Sequence, residues 1–265
     1  MTKINSTLVG LVPAAGEARR LISLPCSKEI LPIGFATKKV GDDSPPKVIA
    51  HYLLEDMRHA GASKAYIIID QGKWDIPTYF GDGSRLGMNF AYLMKGLPHG
   101  VPYTLDQAYK FIKDDYVVFG FPDVLFEPRD AFVRLLEKQM SHKADIVLGL
   151  FPVNERLAHR VDMIALDQEG KITEILIKPK QTNLNLSWII ATWGPVFSRF
   201  MHDYLIHHQQ ELTRSENQAE LYIGTVIQAA IQENLAVDHI IFPNGEFQDI
   251  GTLEALRRVI KKMMD

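Results

Sequence analysis

Four short apolar runs set the strongest limit on how this chain can fold. They are 7–14 (TLVGLVPA), 65–70 (AYIIID), 116–121 (YVVFGF) and 145–151 (DIVLGLF). Each is the length of a strand, and each is nearly continuous in apolar character, as expected of a strand covered on both faces. The segments between them are too long for hairpin turns. They carry apolar residues at helical spacing, as in 46–60, where Val48, Ile49, Tyr52, Leu53 and Met57 fall on one side and Gly61 marks a stop. Further helices are predicted over 105–112 and 130–140, and a further strand over 89–94. Strands alternating with helices give an α/β fold, a mainly parallel sheet flanked by helices.

The second half changes character. Residues 161–166 and 172–177 flank an acidic Gly turn and predict a hairpin, and 187–193 predicts another strand. Helices are expected over 195–207, 220–232 and 253–263, and a strand over 237–242. No repeat or linker interrupts the chain, so one domain is expected over 1–265. The stretch 34–46 (GFATKKVGDDSPP) reads as an exposed excursion.

Composition narrows the function. A formal net charge of −3 argues against a general nucleic-acid binder, and no apolar run reaches the length of a membrane span. One cysteine, Cys26, cannot form an internal disulfide, and the first residues show no signal-peptide pattern. A cytoplasmic protein is the expectation.

Ligands of open parallel sheets sit beyond the carboxyl ends of the strands, and the chemically capable residues follow strands here. After the first run come Ala14, Ala15 and Gly16, then Arg20 and Lys28. Small residues let backbone amides approach a phosphate chain, Arg20 can pair with phosphate oxygens, and Lys28 supplies a point charge. The loop is neither a Walker A motif nor a dinucleotide fingerprint. Asp123 follows the 116–121 run, where a carboxylate can hold Mg²⁺ beside a phosphate, although a turn aspartate reads the same alone. Asp249 precedes the last helix and Lys178 ends a strand, each equally ordinary in isolation. Trp188 and Trp193 share a strand, where packing is the usual role of both; Trp188 is also a candidate to line the acceptor side.

Taken in order, these residues resemble the sugar-1-phosphate nucleotidyltransferase family, and most of all its glucose-1-phosphate thymidylyl- and uridylyltransferases. The resemblance rests on Ala14, Ala15, Gly16, Arg20, Leu21, Lys28, Leu31 and Pro32, and on the block Gly81 to Gly87, which runs on through Tyr92 to Gly100. It rests also on Asp123, on Lys178-Pro179 and on Asp249-Ile250-Gly251-Thr252. It implies a Rossmann-like, GT-A type, nucleotide-diphospho-sugar transferase-like fold, with a nucleotide-binding half (1–125) and an acceptor-binding half (126–265). It implies Mg²⁺ held by Asp123 and Asp249, and Arg20, Lys28, Asp123 and Lys178 as catalytic residues. Nucleotide contacts would come from Ala14, Ala15, Gly16, Arg20, Lys28, Lys95 and Gly100, and acceptor contacts from Asp162, Lys178 and Trp188. The implied substrates are an NTP (dTTP or UTP, with CTP open) and a sugar-1-phosphate, with no nucleic-acid or membrane partner; a homo-oligomer stays open.

The departures cluster where base and sugar are read. Ala15 and Ala18 stand at family glycines. Lys95 stands at a base-reading Gln, and Lys donates hydrogen bonds but accepts none. Ile177 replaces the Glu that contacts sugar hydroxyls, and Asp162 falls near a sugar-site Gly. Two alternatives therefore stay open: a cytidylyltransferase acting on a non-sugar alcohol phosphate, and a catalytically weak regulatory homologue that binds nucleotide.

Overall fold

A computed structural model of the chain describes residues 7–16, 21, 24–35, 45–96, 99–212 and 220–264. In chain order the elements begin with β1 (Leu8–Pro13), β2 (Pro32–Phe35), β3 (Pro46–Val48), α1 (Ile49–His59) and β4 (Lys64–Ile69). There follow α2 (Asp75–Phe80), β5 (Asn89–Met94), α3 (Val101–Asp106), α4 (Tyr109–Ile112), β6 (Tyr116–Gly120), β7 (Val124–Glu127) and α5 (Ala131–His142). The second half holds β8 (Ile146–Pro152), β9 (Met163–Leu166), β10 (Ile172–Leu176), β11 (Leu186–Trp193) and α6 (Pro195–Leu212). It closes with α7 (Ile223–Gln232), β12 (Val237–Ile241), β13 (Glu246–Asp249) and α8 (Leu253–Met264).

One sheet organises the molecule, in the order β10-β9-β11-β6-β1-β4-β5, with β8 also on β11 and β12 on β8. Strands β6, β1, β4 and β5 run parallel, as do β8 and β12. Strand β11 runs antiparallel to β6, β8 and β9, so the sheet is mixed.

Alternation along the strands sends side chains to two apolar layers. Val117 and Phe119 join Leu11, Leu148 and Trp193 in a layer with Tyr103, Phe197, Met201 and Val226 from α3, α6 and α7. Val118 and Val147 face the other way, to Leu53, Leu54, Met57, Phe132 and Leu135 from α1 and α5. Gly10 lies under α1, where an added Cβ would come 2.8 Å from Met57 Sδ. A third, smaller cluster binds α8 to the rim: Val259 packs with Leu31, Ile33, Ile49 and Ile250.

Several predicted boundaries shift for identifiable reasons. Residues 46–48 are not the start of the helix but a strand that pairs with β2, and Val48 is extended (φ −88°, ψ 162°) before α1 begins. The ends of the predicted 34–46 excursion thus form a two-stranded ribbon, and 36–44 lie outside the described residues. The predicted 105–112 helix is two short ones, α3 and α4, starting earlier at Val101. The helix predicted from Glu220 begins at Ile223, because Leu221 is held in a backbone bridge to Gly100. No described helix is long and apolar enough to cross a membrane.

Candidate active site

The carboxyl ends of β1, β4, β5 and β6 fall on one edge of the sheet, and Ala14 and Ala15 follow β1 there, Lys95 follows β5 and Asp123 follows β6. Ala14 and Ala15 leave β1 buried, Ala14 within the layer beneath α1. Gly16 lies beside Lys28, and an added Cβ there would make ordinary contact with Nζ at 3.9 Å. Lys28 in turn donates from Nζ to Asp123 Oδ2 at 2.5 Å. Burial pulls the Lys28 pKa down, but Asp123, Glu29 and Asp249 together outweigh it and hold the ammonium above its ordinary value. The charge at this point is therefore fixed. Arg20 lies outside the described residues.

Asp249 reaches the site through a feature the sequence did not disclose. Strands β7 and β13 form a two-stranded antiparallel ribbon in which Asp249 pairs with Val124, and Ile250 N–H donates to Asp123 C=O at 2.9 Å. Two carboxylates distant in sequence thus become near neighbours. Among the described residues no group of three or more His, Cys, Asp or Glu side chains could hold a metal ion. A hard cation that binds through one or two carboxylates and completes its shell with phosphate oxygens and water fits this donor set.

Lys28 is clamped from both sides. Its neighbour Ser27 donates from N and Oγ to the Asp75 carboxylate at 2.6 and 2.7 Å. Its other neighbour, Glu29, is 1 % exposed and accepts both bonds from Lys73 Nζ, at 2.8 and 2.9 Å. The sequence reading missed Glu29, Lys73 and Asp75. Their one signal was position, since 73 and 75 follow the carboxyl end of β4. Asp70, at that same end, pairs with Lys95 beyond β5, and this hydrogen bond holds the Asp70 carboxyl below its usual range. Gly100 (φ +117°) sits so tightly on the Leu221 backbone that an added Cβ would lie 2.1 Å from its carbonyl oxygen.

From Asp123 and Asp249 a cavity of about 220 Å³ opens toward the second half, lined also by Phe121, Asp162, Lys178, Trp188 and Tyr222. Because β11 is antiparallel, its beginning arrives at the edge where the parallel strands end, which brings Trp188 there. Ser187 pairs with Met163, which puts Asp162 alongside. Lys178 follows β10 at φ 42°, a left-handed backbone that non-glycine residues rarely adopt and that clusters at functional sites. Its Nζ lies 4.0 Å from the Tyr222 ring centroid. Burial pushes the Asp162 carboxyl above its usual range, against the pull of Lys178 and the Trp188 indole. Trp193, by contrast, is a core residue whose Nε1 donates to Ser198 Oγ. Burial raises the Cys26 thiol pKa, so it is no activated nucleophile.

Comparison with known proteins decides the family. The sequence pattern of the nucleotidyl transferases matches residues 10–265. The chain belongs to the nucleotidyl transferase family. The chain is 26 % identical over 78 % of its length to the low-salt glycan biosynthesis nucleotidyltransferase Agl11 of Haloferax volcanii. It is 20 % identical over 83 % of its length to a glucose-1-phosphate thymidylyltransferase of Streptomyces antibioticus. It spans 55 % and 58 % of those two relatives' lengths. Its fold matches a Bacillus anthracis protein named as a glucose-1-phosphate thymidylyltransferase, in complex with sucrose (TM-score 0.80, 19 % identity, 98 % and 96 % of the two chains). It also matches a UTP-bound UGPase of Acinetobacter baumannii (TM-score 0.72, 15 % identity, 97 % and 93 %). The nucleotidyl transferase fold expected from the sequence is thus the one observed.

Proposed function

We propose that this nucleotidyl transferase moves a nucleoside monophosphate from an NTP to a sugar-1-phosphate and releases pyrophosphate. The observation that carries the reading is one cavity lined by Asp123, which Lys28 pairs, together with Asp249 and Lys178. In this reading a phosphate oxygen of the acceptor attacks the α-phosphorus of the NTP, and the bond from that phosphorus to the bridging oxygen breaks. Such a transfer depends on positioning and charge neutralisation. Lys28 would contact the triphosphate near the reacting phosphorus, and Lys178 would hold the attacking phosphate. Asp123 and Asp249 would hold Mg²⁺, which when bound neutralises charge on the phosphates. Arg20 would stabilise the leaving pyrophosphate. The paired Asp70 and Lys95 would face the base, with dTTP or UTP the first candidates.

A second reading, cytidylyl transfer to a non-sugar alcohol phosphate, draws on Ile177, an apolar residue beside Asp162. One assay separates the two: pyrophosphate release with Mg²⁺, across the common NTPs and dTTP, against sugar-1-phosphates and phosphocholine. Release that requires one NTP and one sugar-1-phosphate supports the proposal. Asp123→Asn should then lower turnover by about 100-fold or more with an unchanged circular-dichroism spectrum. Near-normal turnover in that variant, or release with CTP and phosphocholine alone, would overturn it.

A further inference from the structure

Lys178 is seated unlike the other lysines of the site. Its ammonium lies over a ring, 4.0 Å from the Tyr222 centroid. Asp162 and Glu220 line the same cavity, yet among the described residues no carboxylate forms an ion pair with Lys178. Lys28, by contrast, donates to Asp123. Lys47 shows that a ring does not exclude a carboxylate: it lies 3.9 Å from the Tyr52 centroid and still donates to Glu55 Oε2 at 2.5 Å.

The difference matters for an incoming anion. An ammonium carries three N–H donors and one charge. A carboxylate partner occupies a donor and neutralises the charge, so an anion must displace it or meet a neutral pair. The face of an aromatic ring attracts a cation through its quadrupole and carries no net charge. A lysine held by a ring therefore keeps its charge for the anion. It is also already placed. A free lysine side chain has about 2 kcal/mol of rotamer entropy to lose, and a support that is present before binding lowers that cost.

Both supports of Lys178 are themselves fixed. Its backbone N–H helps to hold down the pKa of the Asp162 carboxyl, and its own φ is 42°. Tyr222 stands just before α7 with an extended backbone (φ −96°, ψ 146°). Leu221, its neighbour, bridges Gly100 and donates from N–H to His99 C=O at 2.9 Å. Thr225 N–H donates to Tyr222 C=O at 3.1 Å. The ring is thus set by contacts from the first half of the chain and by the first turn of α7.

We propose that Tyr222 is a positioning residue, whose ring face holds the Lys178 ammonium in the cavity, charged and with its donors open, for the phosphate it is to bind. The proposal rests on the transfer reading only in taking Lys178 as the residue that meets the acceptor phosphate. Nuclear magnetic resonance on the full chain, with ¹³C at the lysine Cε atoms, tests it without turnover. Lys178→Arg assigns the Lys178 signal. That signal should lie upfield through the ring current of Tyr222. Tyr222→Leu should return it to the position of exposed lysines, and Tyr222→Phe should keep it upfield. Inorganic phosphate, added stepwise, should move the same signal. Its affinity should fall about fivefold or more in Tyr222→Leu and recover to within about twofold of the parent in Tyr222→Phe, which keeps the ring and lacks the hydroxyl. Tyr222→Gln replaces Tyr222→Leu if that variant fails to fold. The proposal is overturned if the parent signal is not upfield, if phosphate leaves it unmoved, or if Tyr222→Phe is as weak as Tyr222→Leu. Should the expected pattern hold while no NTP and phosphate ester together release pyrophosphate, the transfer reading falls and the seat for Lys178 stands. Pyrophosphate release with a Lys178 signal that is not upfield gives the reverse.

Discussion

Replacing Gly224 by alanine sets two opposed effects against each other. Alanine is the better helix former by up to about 1 kcal/mol within a helix, so propensity alone predicts a gain. The structure predicts a loss. The new Cβ would lie 2.4 Å from Asp162 Oδ2, 3.1 Å from its Cγ and 2.7 Å from Ile177 Cδ1. Comfortable contacts begin near about 3.5 Å, so the carboxylate must retreat by roughly 1 Å and the isoleucine by somewhat less. Both are side-chain atoms in a packed region, and overpacking of this kind costs about 1–3 kcal/mol. The balance is a net destabilisation of about 0–2 kcal/mol, or a fall in Tm of up to roughly 8 °C at about 2–4 °C per kcal/mol. The displaced carboxylate should also raise the acceptor KM about tenfold more than the NTP KM. Thermal unfolding followed by circular dichroism, and initial rates with each substrate varied, give both quantities. A variant more stable than the parent, with unchanged acceptor KM, would refute the packing of Asp162 against α7.

Three further outcomes are expected. Gly100→Ala should destabilise the fold by about 2 kcal/mol or more, visible in urea unfolding, because the new Cβ meets the Leu221 carbonyl oxygen at 2.1 Å with φ at +117° and backbone cannot yield as a side chain does. Asp75→Ala removes both hydrogen bonds that anchor Ser27, each worth about 1.5–3 kcal/mol when the acceptor is charged. It should lower kcat more than it raises either KM, since Lys28 loses its positioning but not its charge. Asp56 is a pH probe. Burial pushes its carboxyl to about 8, although Arg129 lies 2.8 Å away. Its folded pKa exceeds its unfolded one, so the native state binds the extra proton, and its contribution to stability is lost as pH rises from about 4 to about 8. Asp56→Asn should therefore gain on the parent across that window in urea unfolding; a constant difference would contradict the burial.

The sheet was legible because burial writes a pattern on its strands. Val117, Val118 and Phe119 are all apolar since both faces are covered, and the runs around Leu11, Ile68 and Leu148 read the same way. The reversed β11 was not legible, for a buried antiparallel strand such as Leu186–Trp193 reads like a buried parallel one. The β7–β13 ribbon escaped because each strand has four residues with mixed burial, too few to show a period. Asp123, Asp249, Lys28 and Lys178 were singled out through motifs in the right order; Asp123, Asp249 and Lys178 line one cavity, and Lys28 pairs with Asp123. The clamps on Lys28 were hidden, because Glu29–Lys73 and Ser27–Asp75 are pairings over long sequence separations that leave no local trace.

The ribbon that joins β7 to β13 has a consequence for the chain as it is made. Asp123 emerges mid-chain, with Lys28 already available to it, but its companion carboxylate arrives only when Asp249 has been synthesised and β13 has folded back beside Val124. A nascent chain can build most of the sheet and still lack half of the acidic pair. Completion of the site is thereby made contingent on completion of the fold, and a chain cut short before β13 would keep the Lys28–Asp123 pair without its second carboxylate.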